Sequence, residues 1–81
     1  MFVIEEEIIL SLVDKKYKYI TRDFNGNLFL WGTKPKKNKD NREWDSDGLY
    51  CNFTMFNGFF VDIQYSDPQP FKFSTMFENR N

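Results

Sequence analysis

Apolar positions recur four residues apart at the start of the chain. Ile4, Ile8 and Leu12, with Ile9 and Val13 beside them, share one face if residues 4–14 are helical. Glu5, Glu6 and Glu7 precede that face and Lys15 and Lys16 follow it, an order that suits the helix dipole. The β-branched Val3, Ile4, Ile8, Ile9 and Val13 also suit a strand, so an all-β chain is the alternative. From residue 16 the period changes to two. Tyr17, Tyr19 and Thr21 alternate with Lys18, Ile20 and Arg22, then Asn25-Gly26 leads into Leu28-Phe29-Leu30-Trp31. Asn-Gly between two such runs predicts a hairpin over residues 16–33 with a type I′ turn, and Pro35 ends its second strand.

Residues 34–48 are almost devoid of apolar side chains apart from Trp44, and predict a long polar loop. A second strand region follows at 49–56, with Tyr50, Cys51, Phe53, Met55 and Phe56. Asn57-Gly58 predicts another turn. Phe59, Val61, Ile63 and Tyr65 alternate with Phe60, Asp62 and Gln64 as in a half-buried strand, until Asp67-Pro68-Gln69-Pro70 breaks it. Phe71-Lys72-Phe73 predicts a short edge strand or packed segment, residues 74–81 a loosely held tail, and residues 79–81 a frayed end. The expected fold is α+β, a single domain over 1–81. A short N-terminal helix packs on a four-stranded antiparallel sheet built from two hairpins.

Composition narrows the function classes. The 81 residues include ten Phe, four Tyr and two Trp. Each aromatic can bury ~150–250 Å², enough to build an efficient small core and leave some rings for an interface. Eleven basic residues balance twelve acidic ones, so the whole chain exerts little long-range pull on nucleic acid or an anionic membrane. There is no His, which removes the commonest general base and every Ser-His-Asp arrangement. A lone Cys51 can form no internal disulfide and has no His to activate it, which fits a buried thiol in a reducing, cytoplasmic compartment. The three acids after Ile4 argue against a signal peptide, and no apolar run approaches the ~20 residues of a membrane span.

Candidate chemistry is correspondingly thin. Asp45-x-Asp47-Gly48 resembles the opening of a calcium loop, but the twelfth position is Phe56 rather than a bidentate Glu. Asp23, Glu43, Asp45, Asp47, Asp62 and Asp67 could supply a carboxylate pair, yet all fall in turn-like or outward-facing positions. Asn52-Phe53-Thr54 fits a glycosylation acceptor, which a cytosolic protein would not use. No cofactor or metal is expected. The positive feature is an aromatic–basic segment, with Trp31 and Trp44 as anchors and Lys36, Lys37, Lys39 and Arg42 as a charged rim. It suits a protein partner, where Trp, Tyr and Arg dominate contact energy. It also suits nucleic acid, with phosphates on the bases and an aromatic stacked on a nucleobase. A homodimer is compatible with the same composition, and the sequence fixes no oligomeric state.

Tyr17-Lys18-Tyr19-Ile20-Thr21-Arg22-Asp23, then Gly26, Leu28, Leu30, Lys34-Pro35 and Trp44, resembles a group of small proteins encoded by phages and prophages of Gram-positive bacteria. The run Phe59 to Pro70 extends the resemblance, with Tyr65 where that group carries Trp. The resemblance implies a phage origin and a helix-plus-sheet fold. By analogy, a phage origin and a small size suggest an accessory protein that binds a host or phage protein and inhibits a host enzyme or a defence nuclease, as an anti-CRISPR does. The resemblance supplies no catalytic residue.

Overall fold

The computed structural model describes residues 2–78. The elements run α1 (Ile4–Ser11), β1 (Tyr19–Arg22), β2 (Leu28–Trp31), β3 (Lys36–Asn38), β4 (Glu43–Asp45), β5 (Tyr50–Asn52), a 3₁₀ turn (Thr54–Phe56), β6 (Phe71–Lys72) and α2 (Thr75–Glu78). One four-stranded antiparallel sheet has the order β5-β2-β1-β6, and β3 and β4 form a separate two-stranded sheet. The fold is α+β, with α1 against the larger sheet through Leu10, which shares one core with Ile20, Leu28, Leu30, Phe53, Phe60 and Ile63. The all-β alternative is not realised.

The β1–β2 hairpin forms where Asn25-Gly26 placed it, pairing Ile20 with Leu30 and Arg22 with Leu28. Its turn is not type I′. Gly26 alone there has positive φ, at 95°, and its N–H donates to the Asp23 carbonyl at 2.9 Å. The Asp23 N–H then bonds to the Asn27 carbonyl, so a turn over 23–26 is followed by a glycine-specific bulge. The sheet is not built from two hairpins. β5 returns to pair with β2, and β6 arrives from far along the chain to pair with β1.

Three further expectations are corrected. Residues 34–48 are not one long loop, because Lys36–Asn38 and Glu43–Asp45 pair as a hairpin, with Lys37 opposite Trp44. Residues 59–65 are not a strand. Phe60 has φ 61°, and the N–H groups of Phe59, Ile63 and Asp67 each reach back three residues in consecutive turns. The turns bury Phe60 and Ile63, three apart, and leave Val61 exposed. The third correction concerns α1, which stops at Ser11 and is rotated so that only Ile9 and Val13 of the expected face pack partly against the core. Glu6 and Leu10 are buried, whereas Ile4, Ile8 and Leu12 are exposed. Phe71–Lys72 is the short edge strand expected, and residues 75–78 form a helical turn. The fraying expected of residues 79–81 lies outside the described residues.

Two charged side chains explain the irregular stretch. The Arg22 guanidinium donates to the carbonyls of Ile63, Gly26, Asn57, Phe59 and Phe60 at 2.8–3.2 Å. These carbonyls need no sheet ladder, since one planar fork satisfies them. Burial lowers the Arg22 pKa from its ordinary value. On the other side the buried Glu6 carboxylate accepts the Phe60 N–H, and its second oxygen accepts the Val3 N–H at 3.1 Å. Glu6 thus supplies half of a capping box for α1 while anchoring the turn that carries Phe60.

Candidate functional site

The two faces of the larger sheet differ. Ile20, Leu28 and Leu30 face the core beneath α1. Phe29, Trp31 and Tyr50 project from the opposite face, where β2 pairs Trp31 with Tyr50. Their rings form a cluster with centroids 5.8–6.2 Å apart. Trp31 is buried, and its indole N–H is satisfied by the Thr21 hydroxyl on the neighbouring strand at 2.8 Å.

The β3–β4 hairpin covers part of this aromatic face. Asp23, at the end of β1, accepts the backbone N–H of Trp44 at 3.0 Å, and the Phe24 N–H donates to the Arg42 carbonyl at 3.1 Å. The Lys37 ammonium lies over the rings of Trp44 and Tyr65, 5.0 and 4.7 Å from their centroids, and donates to the Asp67 carbonyl at 2.7 Å. Thr33 and Ser46 share a hydroxyl–hydroxyl hydrogen bond at 2.6 Å.

A cleft of about 270 Å³ lies between the hairpin and the sheet, lined by Asp23, Phe29, Trp31, Glu43, Trp44, Asp45, Ser46 and Tyr50. Its floor is buried, with Asp23, Trp31 and Trp44 each 5% exposed or less, while Tyr50 stands open at 60%. Burial pushes the Asp23 carboxyl up to about 6; the Trp44 N–H pulls it down, and the neighbouring charges of Glu43 and Asp45 push it up again. Among the described residues, three carboxylates and four aromatic rings line the cleft, and no basic side chain does. Such a surface favours a cation, held by ring faces and by carboxylate oxygens.

The sequence-derived residues are distributed across this region in an unexpected way. Trp31 and Trp44, the expected partner anchors, do come together, and they do so as the buried floor of the cleft. Lys37 is half-buried between Trp44 and Tyr65, and so tethers the hairpin instead of forming a free rim. Lys36, Lys39 and Arg42 are exposed on the hairpin; Arg42 has φ 56° and its guanidinium lies 4.8 Å from the centre of the Phe24 ring. Arg22, beside this region at the end of β1, is spent on backbone carbonyls.

Asp23, Glu43, Asp45 and Tyr50 are cleft residues that sequence reasoning missed as partner-binding groups. The available signal for Asp23 was its place as the first residue of the Asp23–Gly26 turn. Cys51 is half-buried against the core. Among the described residues no three His, Cys, Asp or Glu side chains gather closely enough to hold a metal ion, and no helix is long and apolar enough to cross a membrane. No family model, curated protein or solved structure gives a significant match to the chain.

Proposed function

We propose that this is a small non-catalytic accessory protein that acts by binding another protein, with the β3–β4 hairpin and its cleft as the contact surface. The carrying observation is the cleft itself, an aromatic floor and a carboxylate wall with no basic residue among the described ones to neutralise it. A basic side chain of a partner, Arg or Lys, fits that chemistry. Its charge would meet Glu43 and Asp45, and its stem would lie on Tyr50 and Trp31. The exposed Lys36, Lys39 and Arg42 on the same hairpin offer complementary contacts to acidic groups around it. The non-catalytic reading draws support from Asp23, whose carboxylate is buried and holds the Trp44 N–H. Such a group positions a hairpin instead of meeting a substrate.

The resemblance to prophage-encoded proteins supports a cytoplasmic role in a bacterial host, with a host enzyme or a defence nuclease as the partner inhibited. Intrinsic fluorescence tests the binding surface, since both tryptophans line the cleft. Titration with an arginine-containing peptide is expected to perturb the emission, whereas an acidic peptide of equal length is not. Salt-sensitive retardation of DNA or RNA, with no response to the basic peptide, would move the function to nucleic-acid binding.

A further inference from the structure

The larger sheet has two outer edges, and the sequence guards them differently. At one edge the Phe73 N–H donates to the Lys18 carbonyl at 2.9 Å and Phe71 lies opposite Ile20, so within β6 the backbone of Lys72 points outward. An exposed lysine there discourages a further strand. At the other edge the Gly32 N–H donates to the Leu49 carbonyl and the Phe53 N–H to the Leu28 carbonyl, each at 2.8 Å, with Cys51 opposite Leu30 between them. Ladder bonds fall on alternate residues of an antiparallel strand, so the main-chain groups of Tyr50 and Asn52 point away from β2. Among the described residues the one hydrogen bond to these groups comes from the Cys51 thiol, 3.5 Å from the Asn52 carbonyl. β5 carries neither charge nor proline to blunt the edge.

Side chains alternate across the same edge. The exposed Tyr50, on one face, is the rim of the aromatic–acidic cleft. Cys51, on the other, lines an apolar groove of about 390 Å³ with Leu12, Phe56 and the exposed Met55. An unpaired edge with a pocket on each side suits strand addition, in which main-chain bonds supply affinity and alternate side chains supply specificity.

We propose, resting on the basic partner read from the cleft, that this partner enters as an extended strand added to β5, antiparallel like the other pairs of the sheet. Its arginine or lysine lies opposite Tyr50 and exchanges both main-chain bonds with it. The basic side chain crosses the Tyr50 ring toward Glu43 and Asp45. The residue before it is apolar and faces Cys51 and the groove. The residue before that exchanges main-chain bonds with Asn52. A second copy of β5 fits poorly, because Tyr-Cys-Asn brings no cation to the carboxylates.

The capped peptide Thr-Thr-Val-Arg-Val-Thr-Thr, titrated calorimetrically into the full chain, tests the register. Methylating the amide nitrogen of the arginine, or of the threonine two residues before it, is expected to weaken binding about ten-fold, whereas methylating the valine between them should change it less than about two-fold. In the complex, amide exchange at Tyr50 and Asn52 should slow about ten-fold, while Cys51, already paired with Leu30, keeps its rate. Binding that tolerates methylation at all three nitrogens overturns the strand and leaves the cleft reading in place. Alternating sensitivity with undiminished affinity when norleucine replaces arginine does the reverse. No binding at about 1 mM peptide overturns both.

Discussion

Arg22 shows how one residue can replace a secondary-structure element. Its five N–H groups reach carbonyls 4 to 41 residues away in sequence, so the 57–63 stretch is held without a ladder. Lysine offers a point charge and three donors in place of a planar fork. Arg22→Lys is therefore expected to destabilise the fold by about 2–4 kcal/mol, read by urea unfolding, since charged hydrogen bonds contribute roughly 1.5–3 kcal/mol each and here act jointly. Asp23 makes the opposite prediction. Its folded-state pKa of about 6 lies above the ordinary 3.8, so the folded chain holds the proton more tightly than the unfolded one. The stability this confers is complete below about pH 4 and is lost as pH rises through 6. Discounted for solvent screening, the loss amounts to about 1–2 kcal/mol. Asp23→Asn keeps an acceptor for the Trp44 N–H. It is expected to flatten that slope and to exceed the wild type in stability at pH 7 while matching it at pH 4.

At the scale of elements, the β3–β4 hairpin depends on Trp44. The side chain is 4% exposed, carries Lys37 on its ring and leaves its indole N–H without a partner among the described residues. Trp44→Ala should cost about 3–5 kcal/mol by thermal or urea unfolding, in line with other large-to-small aromatic losses. Its stability should fall as far as any partner affinity does, which marks Trp44 as core. The β1–β2 hairpin was legible in sequence because its signal is local: alternation on both sides of Asn25-Gly26. The β3–β4 hairpin was not, since Lys-Lys-Asn and Glu-Trp-Asp carry almost no apolar pattern and pair through contacts to Asp23 and Asp67. Residues 59–65 misled for a related reason. Their alternation is real, but the long-range bonds to Arg22 and Glu6 select turns in its place. The helix itself was legible and its buried face was not, because the carboxylate of Glu6 is drawn inward by the Phe60 N–H.

At the scale of the molecule, two distinct surfaces emerge on opposite faces of one sheet. The core face carries α1, whose outer stripe of Ile4, Ile8 and Leu12 stays open. The other face carries the aromatic–acidic cleft beneath the hairpin. The clustering of Trp31 and Trp44 was legible from sequence, whereas their burial and the inward turn of Lys37 depended on how the hairpin docks. Tyr50 is the sharpest probe of the cleft, being 60% exposed, at its rim and outside the main core cluster. Calorimetric titration of an arginine-containing peptide into wild-type protein and Tyr50→Ala tests the binding surface most directly. Binding to the wild type, weakened at least five-fold in a Tyr50→Ala protein of unchanged stability, is the predicted result, about 1 kcal/mol of cation–π contact. Equal affinity for both proteins, or no binding to either, would contradict it.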